Sequence, residues 1–171
     1  MNGYWADKWR IDRSSLALLI LCVSGLLLQS CNERMESFYP VLSDAIASGA
    51  IYRGWIPDFL PKSAYDIHEM HYTDASIPWC SFNFSPDDSQ YFRNALAESI
   101  DELPSGLKSV DSPKKSWWPE FLEDDPDIEM IHERGFALYN IEEPSYIDQT
   151  RPVLFAIDWA KGLGFFYRPY S

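Results

Sequence analysis

The chain is poor in cysteine, imidazole and positive charge. Three cysteines, three histidines and 14 Lys/Arg are spread over 171 residues. Cys22, Cys31 and Cys80 are too few and too scattered for a disulfide framework. Only His68, His71 and His132 can supply imidazole, which leaves little for metal or acid/base chemistry. The 26 Asp/Glu outnumber the basic residues and set a formal net charge of -12. A chain that acidic repels phosphate backbones, so no nucleic-acid partner is expected. The longest apolar run, Leu16 to Leu28, is broken by Ser24 and Gly25. It falls short of the roughly 20 apolar residues that a spanning helix needs. Nucleophile-elbow, phosphate-loop and dinucleotide patterns are also missing.

That short apolar run has a different use. Lys8, Arg10 and Arg13 precede it and Leu28-Gln29-Ser30-Cys31 closes it. A basic flank, an apolar core of this length and a small residue at the end describe a secretory signal. The final tetrapeptide resembles the lipobox of bacterial lipoproteins. The resemblance implies a signal peptide over 1–30, cleavage after Ser30, and lipidation of the Cys31 thiol, followed by acylation (palmitate or similar) of the new amine. Two or more acyl chains hold a protein stably at a membrane, whereas one does not. An uncleaved anchor and an ordinary secretory signal are the alternatives. Asn32 after the cysteine favours the outer membrane in a Gram-negative host, by the same analogy. Residues 31–171 then form a single globular α+β domain with 24 acidic and 11 basic side chains. Such a domain is repelled by anionic headgroups, so the acyl chains must hold it. Cys80 is the one thiol left unmodified.

Along this domain the spacing predicts a helix from Phe38 to Ser48, with Phe38, Leu42 and Ala45/Ile46 on one face and Gly49 ending it. Ala50 to Arg53 reads as a short strand, and Gly54 to Pro61 as an extended loop whose Trp55, Ile56, Phe59 and Leu60 pack inward. Ser63 and Asp66 resemble a capping box, so a second helix is expected from Ala64 to His71. Pro78 to Phe84 alternates like a half-buried strand. Ser85-Pro86-Asp87-Asp88 opens a helix that ends before Pro104. Pro104 to Asp127 reads as a long loop with one helical turn near Pro119 to Leu122, and Ile128 to Glu133 as a helix stopped by Gly135. Phe136 to Ile141, Val153 to Asp158 and Leu163 to Arg168 are strands, the last two joined at Gly162. The resulting fold class is α+β: a mainly antiparallel four-stranded sheet with helices packed on one face.

The stretch from Gly49 to Trp79 resembles a family of uncharacterised bacterial lipoproteins that share the pattern GA-x-x-RGW-x-P-x-x-LP-x-SA-x-x-I-x-E-x-H-x-x-D. The matching residues are Gly49, Ala50, Arg53, Gly54, Trp55, Pro57, Leu60, Pro61, Ser63, Ala64, Ile67, Glu69, His71, Asp74 and, in the following strand, Trp79. The resemblance implies envelope localisation and brings no activity with it.

The motif holds the candidate site. Arg53 can bind a ligand carboxylate with Trp55 as a stacking platform. More often such an arginine pairs with an internal acid, here Asp66, Glu69 or Asp74, and staples the loop to the helix. His68, His71 and Asp74 stand three apart, a spacing that can present nitrogen and oxygen ligands to a metal. Too few ligands accompany them, so neither metal nor cofactor is expected. Glu123 to Asp127 lacks the spacing of a calcium loop and reads as a solvated acidic turn. Trp117-Trp118 is either a recognition patch or core. Cys80 faces the apolar side of its strand, where a thiol is inert. The expectation is a lipid-anchored, extracytoplasmic envelope protein, non-catalytic, that binds a protein or ligand through Arg53, Trp55, His71 and Asp74. The alternative is an extracytoplasmic enzyme using His71, Asp74 and Glu69 as acid/base groups.

Overall fold

A computed structural model describes residues 34–73, 78–96, 98–104, 109–143 and 151–168. Seven strands among them form one antiparallel sheet: β1 (Arg34–Val41), β2 (Tyr65–Tyr72), β3 (Pro78–Asn83), β4 (Ser99–Ile100), β5 (Ala137–Glu143), β6 (Arg151–Asp158) and β7 (Leu163–Tyr167). Their order is β1-β2-β3-β7-β6-β5-β4. Two meanders, one from each half of the chain, therefore meet where β3 pairs with β7. Three α-helices among the described residues accompany the sheet: α1 (Leu42–Ser48), α2 (Gln90–Leu96) and α3 (Ile128–Glu133). None of them is long and apolar enough to cross a membrane.

The four-stranded sheet with helices on one face is overturned on both counts. The sheet has seven strands, and both of its faces are covered. α1, the 49–64 connection and α2 lie on one face, where Ile67, Cys80, Phe82, Phe155 and Phe166 meet Ala45, Ile56 and Phe92. The 109–127 segment and α3 lie on the other, where Met70, Trp79, Leu154 and Phe165 meet Trp118, Leu122 and Ile131. A sheet buried on both faces needs apolar side chains at successive positions, not at alternate ones. β6 and β7 supply them in Val153-Leu154-Phe155-Ala156-Ile157 and Phe165-Phe166-Tyr167, all buried. Each fully buried phenylalanine contributes roughly 1.5–3 kcal/mol.

Local readings changed for identifiable reasons. The helix expected from Phe38 begins only at Leu42, because β1 runs through Val41. Pro40 sits at the edge of the sheet, where a missing N–H is tolerated, and Phe38 and Ile46 are more than half exposed. Ala50 to Arg53 is a turn and not a strand. Ala64 to His71 is not a helix; Tyr65–Tyr72 is β2, paired on both sides. Ser63 caps nothing, and its hydroxyl instead accepts the Ser85 N–H at 3.1 Å. The helix opened at Pro86 is a 3-10 turn over Pro86–Asp88 followed by α2, and Ser99–Ile100 leaves it to pair with β5. Phe92 and Leu96 are buried on α2, as their spacing requires. The 3-10 turn at Glu120–Leu122, the helix at Ile128 and the strands β5 to β7 stand where the sequence places them.

The β6–β7 turn is tightly held. Asp158 Oδ1 accepts the N–H groups of Ala160 and Lys161 at 3.1 and 3.0 Å. Gly162, at φ +66°, accepts the Phe84 N–H through its carbonyl at 2.7 Å. A Cβ on Gly162 would stand 2.0 Å from the Phe84 carbonyl oxygen, so backbone would have to move. Gly162→Ala is expected to cost about 3 kcal/mol or more, from the positive φ and the forced overpacking together. Urea unfolding checks this; a midpoint within error of the parent protein would contradict it.

Candidate functional site

The shared motif folds into a column of four side chains on the face of β2 that carries Ile67. Its base is the β2 pair Glu69 and His71, two residues apart and therefore on the same face. His71 Nδ1 and Glu69 Oε1 are 2.7 Å apart. Glu69 is fully buried and His71 is 4% exposed. The Trp55 indole covers the imidazole, with ring centroids 3.7 Å apart and 18° between planes. The Arg53 guanidinium lies over the outer face of that indole, 4.1 Å from a ring centroid. The column thus runs from an exposed cation through a half-buried indole to a buried imidazole and carboxyl.

The turn after α1 makes the column possible. Gly49 ends α1 at φ +80° and its N–H bonds the Ile46 carbonyl. A Cβ at Gly49 would meet Arg53 Nη1 at 3.0 Å, so this glycine both permits the turn and seats the guanidinium. Arg53 Nη2 donates to the Ser48 carbonyl at 2.9 Å. Ala50 is fully buried and donates its N–H to the Ala45 carbonyl at 3.1 Å. The Gly54 carbonyl accepts Arg168 Nη1 at 2.8 Å, tying the turn to the last strand. Ile56 and Leu60 are buried, and Trp55 and Phe59 pack against the same core.

Electrostatics favour neutral forms at the base of the column. Burial pushes the Glu69 carboxyl up to about 8, although the Ser37 hydroxyl across the β1–β2 pair and the Arg53 charge pull it down. Burial lowers His71, and the Arg53 charge adds to that. Both shifts give a protonated carboxyl donating to the neutral Nδ1 at pH 7, which puts the ring proton on Nε2. The same assignment suits Glu69 Oε2, which is buried without a hydrogen-bond partner. A neutral carbonyl oxygen tolerates that far better than a carboxylate oxygen does. Cys80 stands across from Glu69 on β3, fully buried. Burial holds its thiol well above the usual range, and Glu69 adds to this.

Of the sequence-predicted site residues, the structure brings Arg53, Trp55 and His71 together. Asp74 and Cys31 lie outside the described residues. Among the described residues Arg53 makes no ion pair, so the expected bond to Asp66 or Glu69 is absent. Asp66 bonds Asn83 Nδ2 instead, at 3.0 Å. His68 and His71 occupy opposite faces of β2; His68 packs on Phe38 and Trp117. Their sharing of a metal ion depended on a helix that does not form. Within Glu123 to Asp127, Glu123 accepts bonds from Ser112 and Lys114, and Asp127 caps α3 through Glu129 and Met130. Trp118 is core, whereas Trp117 is partly buried and bonds Glu36 Oε1 at 3.0 Å. Sequence reasoning missed Ser37 and Cys80 as neighbours of Glu69. Only the strand register reveals them.

The family model of the YbbD head domain matches residues 33–83. That segment, similar to the head domain, contains β1, α1, β2, β3 and the whole Arg53–Glu69 column. No curated protein and no solved structure matches the chain.

The Glu69 shift makes stability depend on pH. A carboxyl whose folded pKa is raised contributes stability fully present below its unfolded value near 4.5 and lost as pH rises through about 8. Glu69→Gln keeps the shape without the titration. It is expected to match the parent near pH 4.5 and to gain on it as pH rises, by on the order of 10 °C in Tm at pH 9. His71, with its pKa lowered, acts in the opposite direction, favouring the folded state as pH rises towards 6.5, but it is common to both proteins. Parallel thermal melts from pH 4.5 to 9 test this, and a constant difference across the range would contradict it.

Proposed function

We propose that this protein is a lipid-anchored domain of the bacterial cell envelope, held by an acylated Cys31, and that it binds an anionic group through Arg53 and Trp55 without catalysis. The observation that carries the reading is the state of Arg53. Its guanidinium is exposed, held flat on the indole and bonded to one carbonyl, and no acidic side chain among the described residues neutralises it. A planar cation preorganised in this way suits a carboxylate or phosphate, which it can engage bidentately. The order of basic flank, apolar run and cysteine supports the envelope assignment. The similarity of residues 33–83 to the YbbD head domain adds that the column lies within a recurring unit.

The Glu69–His71 contact is the one feature that favours the alternative, an extracytoplasmic enzyme with His71, Asp74 and Glu69 as acid/base groups. General acid–base catalysis needs the group within hydrogen-bond reach of substrate. Here the indole covers the imidazole and the carboxyl is fully buried. We therefore read the pair as support for Trp55 and Arg53.

A photocrosslinking residue in place of Tyr52, which is 95% exposed beside Arg53, tests the binding surface in native envelopes. A discrete adduct is expected, falling at least tenfold with Arg53→Ala while Tm is held. No adduct, or one indifferent to Arg53, would contradict the reading.

A further inference from the structure

The column and the anchor lie near each other in the chain. Met35 is the cross-strand partner of His71, so its side chain stands on the same face as Trp55. Met35 is 47% exposed. Cys31 precedes Arg34, the first residue of β1, by three positions, and three residues span at most about 11 Å. An acylated Cys31 therefore holds this end of β1 within about that distance of the bilayer surface. On that side lie the half-buried Trp55 indole, stacked on His71, and the Arg53 guanidinium over it, and the exposed Tyr52 phenol is the neighbour of Arg53 in the chain. Tyrosine and tryptophan favour the membrane–water interface, and arginine suits phosphate.

Resting on the anchor reading above, we propose that Met35, Tyr52, Arg53 and Trp55 form the surface by which the domain lies on its own bilayer, with the Arg53 guanidinium bonded to the phosphate of a zwitterionic phospholipid. The charge of the domain selects the zwitterionic class. With 24 acidic and 11 basic side chains after residue 30, it is repelled by a membrane of net negative charge. A headgroup that carries its own cation removes that repulsion and still offers a phosphate. Among the described residues of β1 and β2, the two acidic side chains nearest the Met35–His71 pair are occupied or shielded. Glu69 is buried and protonated, and Glu36, on the opposite face of β1, is bonded to Lys115 and Trp117. The contact fixes the orientation of the domain, because one acyl-bearing residue alone leaves it free to swivel.

The test uses the processed, acylated protein in phosphatidylcholine vesicles that contain a nitroxide-labelled phospholipid. With Cys31 acylated and Cys80 buried, a single introduced cysteine is the accessible thiol. A fluorophore is attached at Tyr52→Cys or, as a control on α3, at Met130→Cys. The Tyr52 probe is expected to be quenched several-fold more than the Met130 probe, and Arg53→Ala is expected to remove at least half of that quenching. Equal quenching at the two positions, or quenching unchanged by Arg53→Ala, with acyl mass present on Cys31, would overturn the proposal and leave the anchor standing. An intact mass with Met1 attached and no acyl group would overturn both.

Discussion

Glu69 is a carboxyl with no access to water, and the surrounding fold is arranged to keep it neutral. A buried carboxylate would be intolerable without a cation in direct contact, and Arg53, the cation among the described residues whose charge acts on it, lies on the far side of an indole and an imidazole. The solution is one proton shared with His71 across 2.7 Å. From that pair outward each layer depends on the one beneath. The neutral imidazole gives Trp55 a flat surface, Trp55 gives Arg53 its seat, and Gly49 gives the guanidinium room. A charged pair would attract water beneath the indole and loosen the layers above it.

This dependence accounts for the motif as a unit. Gly49, Ala50, Arg53, Gly54 and Trp55 build the turn and the upper column. Pro57, Leu60 and Pro61 run the chain along the face, where Leu60 is buried. Ile67, Glu69 and His71 are the inward positions of β2. The residues are separated in sequence because two elements, a turn and a strand, meet at one place. β1 and β3 hold that strand from both sides, and the similarity to the YbbD head domain coincides with this part of the sheet.

In the second half of the fold, strands β5 to β7 were readable to within a residue or two. Val153 to Ile157 and Leu163 to Tyr167 are dense in aromatic and β-branched side chains, and Gly162 marks their turn. The first half was obscured by the feature that organises it. In Tyr65–Tyr72 the positions buried on the Trp55 side are Ile67, Glu69 and His71, with Met70 buried on the other face, and a reader who counts glutamate as polar cannot see them as the inward face of a strand. Asp66, at φ +51° where the β2–β3 register shifts, further disguises the start. β1 carries an edge proline and exposed apolar side chains, and β4 is two residues long, so neither announces itself. At the site, Arg53, Trp55 and His71, which the structure stacks together, were named by the motif alongside Asp74. What it could not give was their order in depth, which decides that arginine faces outward and histidine does not.

The central claim is that a protonated carboxyl persists at neutral pH beneath Trp55. Infrared difference spectroscopy reads it directly, with Glu69→Gln as the reference. The account predicts a carboxylic acid C=O band at pH 6.5 to 7 that is absent from the Glu69→Gln protein and converts to a carboxylate band as pH rises through about 8. A Glu69 signal that is wholly carboxylate at pH 6.5 would contradict it.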